Sequence, residues 1–139
     1  MIQPCRMNPA ASPTRAFHVW FSTKARKPVL VDEIREAVLS LIQENAAKVG
    51  VDVIEAEAIE DHVHLLLELS AGQSLVGVMH QIKGASAREV LRRHPELSLD
   101  MRSGSFWQKS YGARPVPPEQ VEVVRTYITT QSDRPLRHE

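Results

Sequence analysis

At 139 residues the chain is long enough for one domain with a real core and too short for two ordinary ones. Seventeen Lys and Arg balance 17 Asp and Glu, which argues against a uniformly basic nucleic-acid surface. No run approaches the roughly 20 apolar residues of a membrane span, and the one cysteine, Cys5, excludes an internal disulfide or a cysteine-built zinc cluster.

Residues 1–14 read as a proline-interrupted tail without the apolar segment of a signal peptide. A lone cysteine there suits a reducing cytoplasm. Residues 15–132 are expected to form one domain, and 133–139 a second tail. In AFHVWFST (16–23), Phe17, Val19 and Phe21 alternate with His18 and Trp20, which predicts a strand. The basic, turn-rich KARKPVL follows. From Asp32 to Val49, Ile34, Val38, Leu41, Ile42 and Val49 recur at helical spacing. Asp32 is the expected N-cap and Gly50 the left-handed residue that ends this helix. Strands 51–59 and 62–69 meet around Glu60–Asp61. Ser74 is expected to cap a helix, LVGVMHQIK, that breaks or kinks at Gly84 before ASAREVLRRH. GSFWQKSYGA predicts a further strand, RPVPPEQ a hinge, and 118–132 a last helix with Pro118 in its first turn. The order β-α-β-β-α-β-α predicts an α+β fold: an antiparallel sheet with helices on one side, the ferredoxin-like or RRM-like split βαβ kind. That fold hosts many functions and selects none.

The chemistry concentrates in EDHVHLLLEL (60–69). In a strand, successive side chains point to opposite faces. His62, His64, Leu66 and Glu68 therefore share one face, and Val63, Leu65, Leu67 and Leu69 form a core stripe on the other. Two imidazoles side by side can bind a divalent metal or simply hydrogen-bond on a half-exposed face. Asp61 can add an oxygen to such a site or close the turn. On the last helix, Tyr127 and Gln131 lie four residues apart on one face, Tyr127 at the edge of the stripe Val121, Val124 and Ile128. Residues 51–69 carry six carboxylates and no Lys or Arg, whereas basic residues gather around Lys24 and Arg26 and at Lys83, Arg88, Arg92 and Arg93. Those cations are candidates for phosphate contacts that position nucleic acid without reading its sequence, or are solvated helix faces. Trp20 and Trp107 can stack bases or pack. His18 is read as structural, and His80, His94 and His138 have no evident partner in the pattern.

DHVHLLLEL, HQIKGASAREVLRRHPEL, FWQKSYG and VVRTYITTQ together resemble the single-tyrosine HUH transposases of the insertion-sequence 200/605 class, HUH being His62-Val63-His64 here. The likeness runs from about Phe17 to Gln131. It implies an HUH-endonuclease fold that cuts and rejoins single-stranded DNA, near hairpins at transposon ends. Tyr127 would form a 5′-phosphotyrosine link, and His62, His64 and Gln131 would hold Mg²⁺ or Mn²⁺. It also implies a homodimer whose tyrosine helix completes the partner's site, in the cytoplasm at the nucleoid. The prolines of GARPVPPEQ depart from a glycine-rich connection and stiffen the expected hinge. Three other readings stay open: a relaxase or replication initiator, a non-catalytic single-strand-binding module, and a domesticated nuclease that processes chromosomal repeats.

Overall fold

The computed structural model describes residues 14–100 and 105–130. Strands β1 (Arg15–Ser22), β2 (Asp52–Ile59), β3 (His62–Leu69) and β4 (Gly112–Val116) form one antiparallel sheet in the order β2-β3-β1-β4. The helices are α1 (Asp32–Lys48), α2 (Leu75–Arg93), the short α3 (Leu97–Asp100) and α4 (Val121–Thr129). Among the described residues no helix is long and apolar enough to cross a membrane.

Strand β3 organises both layers. Val63, Leu65, Leu67 and Leu69 are fully buried in a core with Val19, Phe21, Val38, Ile42, Met79 and Ile82, so α1 and α2 cover that face. The other face carries His62, His64, Leu66 and Glu68. There Leu66 is buried in a second cluster with Val116, Val124 and Ile128, which docks α4 on the side that α1 and α2 leave open. The α+β sheet with helices on one side is as expected, and the tyrosine-bearing helix lies on the opposite side.

Local signals hold at some positions and fail at others. Gly50 takes φ +75° and closes α1 through Val51 N–H to Ala46 O and Gly50 N–H to Ala47 O, the paired bonds of a Schellman end. Ser74 Oγ accepts from Gly77 N–H at 3.2 Å, the expected cap. Asp32 is not the N-cap of α1. That position is Val31, and Asp32 is the first helical residue, with φ +52°. Gly84 does not break α2, which runs unbroken for 19 residues. A helical glycine costs only about 1 kcal/mol relative to alanine, and the burial of Met79, Ile82, Ser86 and Val90 on either side outweighs it.

The expected strand at 104–113 and hinge at 114–120 also shift. Among the described residues of the stretch before Gly112, Trp107 forms an isolated bridge with Thr23, and the strand itself is Gly112–Val116, which takes in Arg114–Val116 of the expected hinge. Pro115 sits opposite Phe17 on an edge strand, where its missing N–H costs no ladder bond. The connection to α4 is thereby reduced to Pro117 and a 3-10 turn, Pro118–Gln120. The expected tails lie outside the described residues apart from Thr14, as do Cys5, Gln131 and His138.

Candidate active site

The face that α4 covers only in part is where the chemistry collects. In the register, Trp20 lies opposite His64 and Gly112, and His18 opposite Leu66 and Arg114. Because directly paired residues share a face, three neighbouring strands bring His18, Trp20, His64 and Arg114 together. Val124 and Ile128, one helical turn apart, anchor α4 over Leu66 and Val116, and Arg125 ties it to Glu55 of β2 at 3.1 Å. Tyr127, beside that apolar stripe, reaches the rim of the cluster. Its ring stands edge-on to His18 at 6.0 Å and to His64 at 6.2 Å, 38% exposed. The phenol and the imidazoles of one chain thus share a cleft of about 350 Å³.

The two histidines of the HUH stretch have ring centroids 5.1 Å apart, nearly perpendicular. Each uses Nδ1 for a protein partner: His62 with Asp61 Oδ1 at 2.8 Å, His64 with His18 Nε2 at 3.1 Å. Both rings therefore keep Nε2 for a ligand. A hydrogen-bond partner such as a carboxylate at the far nitrogen is the usual state of a metal-binding histidine, which His62 meets with Asp61, while His64 has the His18 ring in that place. His64 can present an Nε2 lone pair only with its proton on Nδ1, donated to His18. His18 must then carry its own proton on Nδ1, the one buried polar side-chain atom left without a partner among the described residues. The donor set fits a divalent ion with two nitrogen ligands. Among the described residues no group of three or more His, Cys, Asp and Glu completes a cage, and Gln131, the third ligand implied by the resemblance, lies outside them.

The pattern within β1 gives His18 a structural role and no partner. In the structure it is 4% exposed and holds His64. That role is invisible within β1 because the partner comes from another strand. The available signal is its place beside Trp20 on the polar side of β1. Asp61 orients His62 with one oxygen and meets Arg26 Nε with the other at 3.0 Å. Burial by itself would raise the Asp61 pKa, but the bonds from His62 and Arg26 hold it below the usual carboxylate value.

The basic candidates do not gather into one patch. The Lys83 ammonium donates to the carbonyl oxygens of Gln108, Lys109 and Ser110 at 2.7, 3.1 and 3.2 Å, and burial lowers its pKa. It thereby pins the loop before β4 and sits over the rings of Phe21 and Tyr111. Arg92 and Arg93 both bond Glu89, whose pKa they draw down to about 2. Lys24 and Arg88 make no ion pair among the described residues. Trp107 is not available to stack a base: it is 5% exposed, with its indole N–H donating to Ser86 Oγ. Trp20 remains open at 38%.

Burial lowers the pKa of both His18 and His64 to about 4, with the Arg114 charge adding for His18 and those of His62 and His18 for His64. Their ordinary value is 6.5, so between about pH 6.5 and 4 the unfolded chain binds protons that the folded chain does not. Stability should therefore fall as pH drops through that window. A tenfold change in proton affinity corresponds to about 1.4 kcal/mol, so the two rings, discounted for solvent screening at the half-buried His64, together cost on the order of 3 kcal/mol. Urea unfolding of the metal-free protein at pH 7.5 and 4.5 measures it, and equal midpoints would contradict buried neutral rings.

The model of a family described as IS200-like transposases matches residues 12–131. The chain is 32% identical over 118 residues to the ISDra2 transposase TnpA of Deinococcus radiodurans, spanning 85% of this chain and 84% of that one. It is 30% identical over 95 residues to the transposase for insertion sequence element IS200 of Salmonella typhimurium, spanning 68% and 62%. A crystal structure of a Deinococcus radiodurans R1 protein assigned as a transposase superposes with a TM-score of 0.72 at 28% identity, over 86% of this chain and 92% of that one. A REP-associated tyrosine transposase bound to a REP hairpin shares the fold, with a TM-score of 0.58 at 11% identity, over 86% and 67%. With the family pattern matched from end to end of the described domain, the chain belongs to the IS200-like transposases.

Proposed function

We propose that this transposase cuts and rejoins single-stranded DNA through a covalent bond between Tyr127 and a backbone phosphate, at a site that takes one Mg²⁺ or Mn²⁺. The observation that carries the reading is the Tyr127 ring beside the His64 ring of its own chain. Tyr127 Oη attacks phosphorus. The Oη–P bond forms as the P–O3′ bond breaks, the phenolic proton passes to solvent, and the departing oxygen takes up a proton as a free 3′-hydroxyl. The 5′-phosphotyrosine keeps the phosphodiester energy, so a 3′-hydroxyl of another strand can reverse the step without a nucleotide cofactor. His62 and His64 would hold the ion through their Nε2 atoms, with Gln131 as the proposed third ligand. When bound, the ion polarises the phosphate oxygens as a Lewis acid. Imidazole with water and phosphate oxygens suits Mn²⁺ and admits Mg²⁺. Asp61 and His18 act through the two rings by fixing their orientation.

The substrate is a single strand next to a hairpin. A protein of the same fold is bound to a REP hairpin, and Lys24, Arg26, Arg88, Arg92 and Arg93 are candidate phosphate contacts. A homodimer belongs to the proposal, with α4 helices interchangeable between two sites, since each chain seats its phenol by imidazoles of the same kind. Light scattering at tens of micromolar tests it, and a monomer mass removes the shared-site arrangement. The cellular setting that follows is the cytoplasm, at the nucleoid. A domesticated repeat-processing nuclease would use the same chemistry, and imperfect palindromes flanking the coding region would favour a mobile element.

The chemistry is tested by incubating the protein with labelled single strands carrying its flanking DNA, with Mn²⁺ or with EDTA, and denaturing the mixture. A protein–DNA band that survives denaturation is expected with Mn²⁺ and not with EDTA. Binding with no covalent band under any metal would leave the non-catalytic single-strand-binding module as the reading.

A further inference from the structure

Two residues of the cleft have no part in the chemistry above. Arg114 projects from edge strand β4 and Trp20 from β1, and both line the cleft with His18, His64 and Tyr127. The Trp20 indole lies directly over Gly112. A Cβ there would stand 2.2 Å from its Cε2 and Nε1 and 2.5 Å from its Cζ2. Only glycine leaves room for the ring. The indole is further held by His18, centroids 5.0 Å apart and tilted, and 38% of the residue stays open to solvent. A large aromatic seated on bare backbone and left half open is a platform, in contrast to Trp107, which is buried and hydrogen-bonded.

The charge of the cleft is equally one-sided. Arg114 is the one permanent cation among the five lining residues. It is exposed, and no carboxylate pairs with it among the described residues. Other arginines nearby are engaged: Arg26 by Asp61, Arg35 by Glu57 and Arg125 by Glu55. A guanidinium fork matches two oxygens of a phosphate, and an open indole matches the face of any unpaired base. A duplex keeps its bases stacked and offers no such face.

We infer that Arg114 and Trp20 form a one-nucleotide subsite beside Tyr127, in which the guanidinium grips a backbone phosphate and the indole stacks the adjoining unpaired base. The subsite rests on the proposed cleavage of single strands and specifies how the strand is laid across the nucleophile. Gly112 acts as the seat of the indole.

The test uses the full chain carrying Tyr127→Phe, in EDTA, so that neither metal nor covalent chemistry enters, with a 20-residue oligo-dT as probe. Tryptophan emission is followed, because Trp20 is the exposed one of the two tryptophans. Oligo-dT should quench the emission, and an equal concentration of blunt duplex should not. Arg114→Gln should weaken binding about tenfold and lower the slope of log affinity against log salt by about 0.7, the value for one phosphate contact on a single strand. Arg114→Lys should restore the slope but not the full affinity, which a merely structural arginine would not do. Trp20→Phe should remove the quench, and Gly112→Ala should do the same by unseating the ring, with Arg114 untouched. Thermal melts confirm that each variant is folded. Unchanged affinity and salt slope in Arg114→Gln, or wild-type quenching in Gly112→Ala, would overturn the subsite. If the quench and slopes behave as stated while the wild-type chain forms no covalent band, the subsite stands and the cleavage reading falls.

Discussion

Tyr127→Phe is expected to abolish the covalent protein–DNA band, a loss of at least about a thousandfold, because it removes only the oxygen proposed to attack phosphorus. The ring stays, with its edge-on approach to His18 and His64. The apolar contacts that dock α4 come from Val124 and Ile128, so the melting temperature and non-covalent DNA binding should be nearly unchanged. A surface substitution that leaves packing intact is usually within about 0.5 kcal/mol of neutral. The control is Tyr111→Phe. That ring is packed on the core under the Lys83 ammonium, away from the cleft, so the band should persist. A band that survives Tyr127→Phe and disappears in Tyr111→Phe would transfer the nucleophile to Tyr111.

His64→Ala should lose the band as well, for a different reason. It would delete one of the two proposed nitrogen ligands and leaves the buried His18 Nε2 without its partner. Loss of a buried hydrogen-bond partner costs about 1–3 kcal/mol, so this variant should melt lower than His62→Ala, whose Asp61 partner keeps Arg26. Manganese affinity, read by the electron paramagnetic resonance of free Mn²⁺, should fall at least about a hundredfold in both. Asp61→Asn should weaken it about 10–100-fold, the usual effect of disturbing the group that orients a ligating imidazole. Wild-type Mn²⁺ affinity in His64→Ala would refute the assignment of the ion to this pair. Because affinity is read without DNA, the result does not depend on knowing the target sequence.

The alternation of β3 is legible in EDHVHLLLEL because one buried face imposes a period of two on the sequence. The Val63, Leu65, Leu67 and Leu69 stripe is buried under α1 and α2 as expected, whereas the docking of α4 on the histidine face was not expected from the sequence. Gly50 and Ser74 are equally legible, since left-handed φ and capping are properties of a few adjacent residues. Asp32 and Gly84 mislead because a local preference of about 1 kcal/mol is decided by what packs around it. Arg114–Val116 mislead because proline argues against a strand unless the strand is an edge, and edges are defined only once the sheet is assembled.

What the chain's linear order determined by itself was the list of elements, their apolar faces, and two imidazoles on one face of a strand as the candidate chemistry. Each of these follows from periodicity or from side-chain type within one segment. Tertiary structure decided that α4 crosses to the open face of the sheet, that His18 of β1 braces His64 of β3, and that Trp20, Gly112 and Arg114 meet beside Tyr127. Those are contacts between strands and helices far apart in sequence. Their register depends on how three strands and a helix settle against one another, and no single segment carries a period or motif that encodes it.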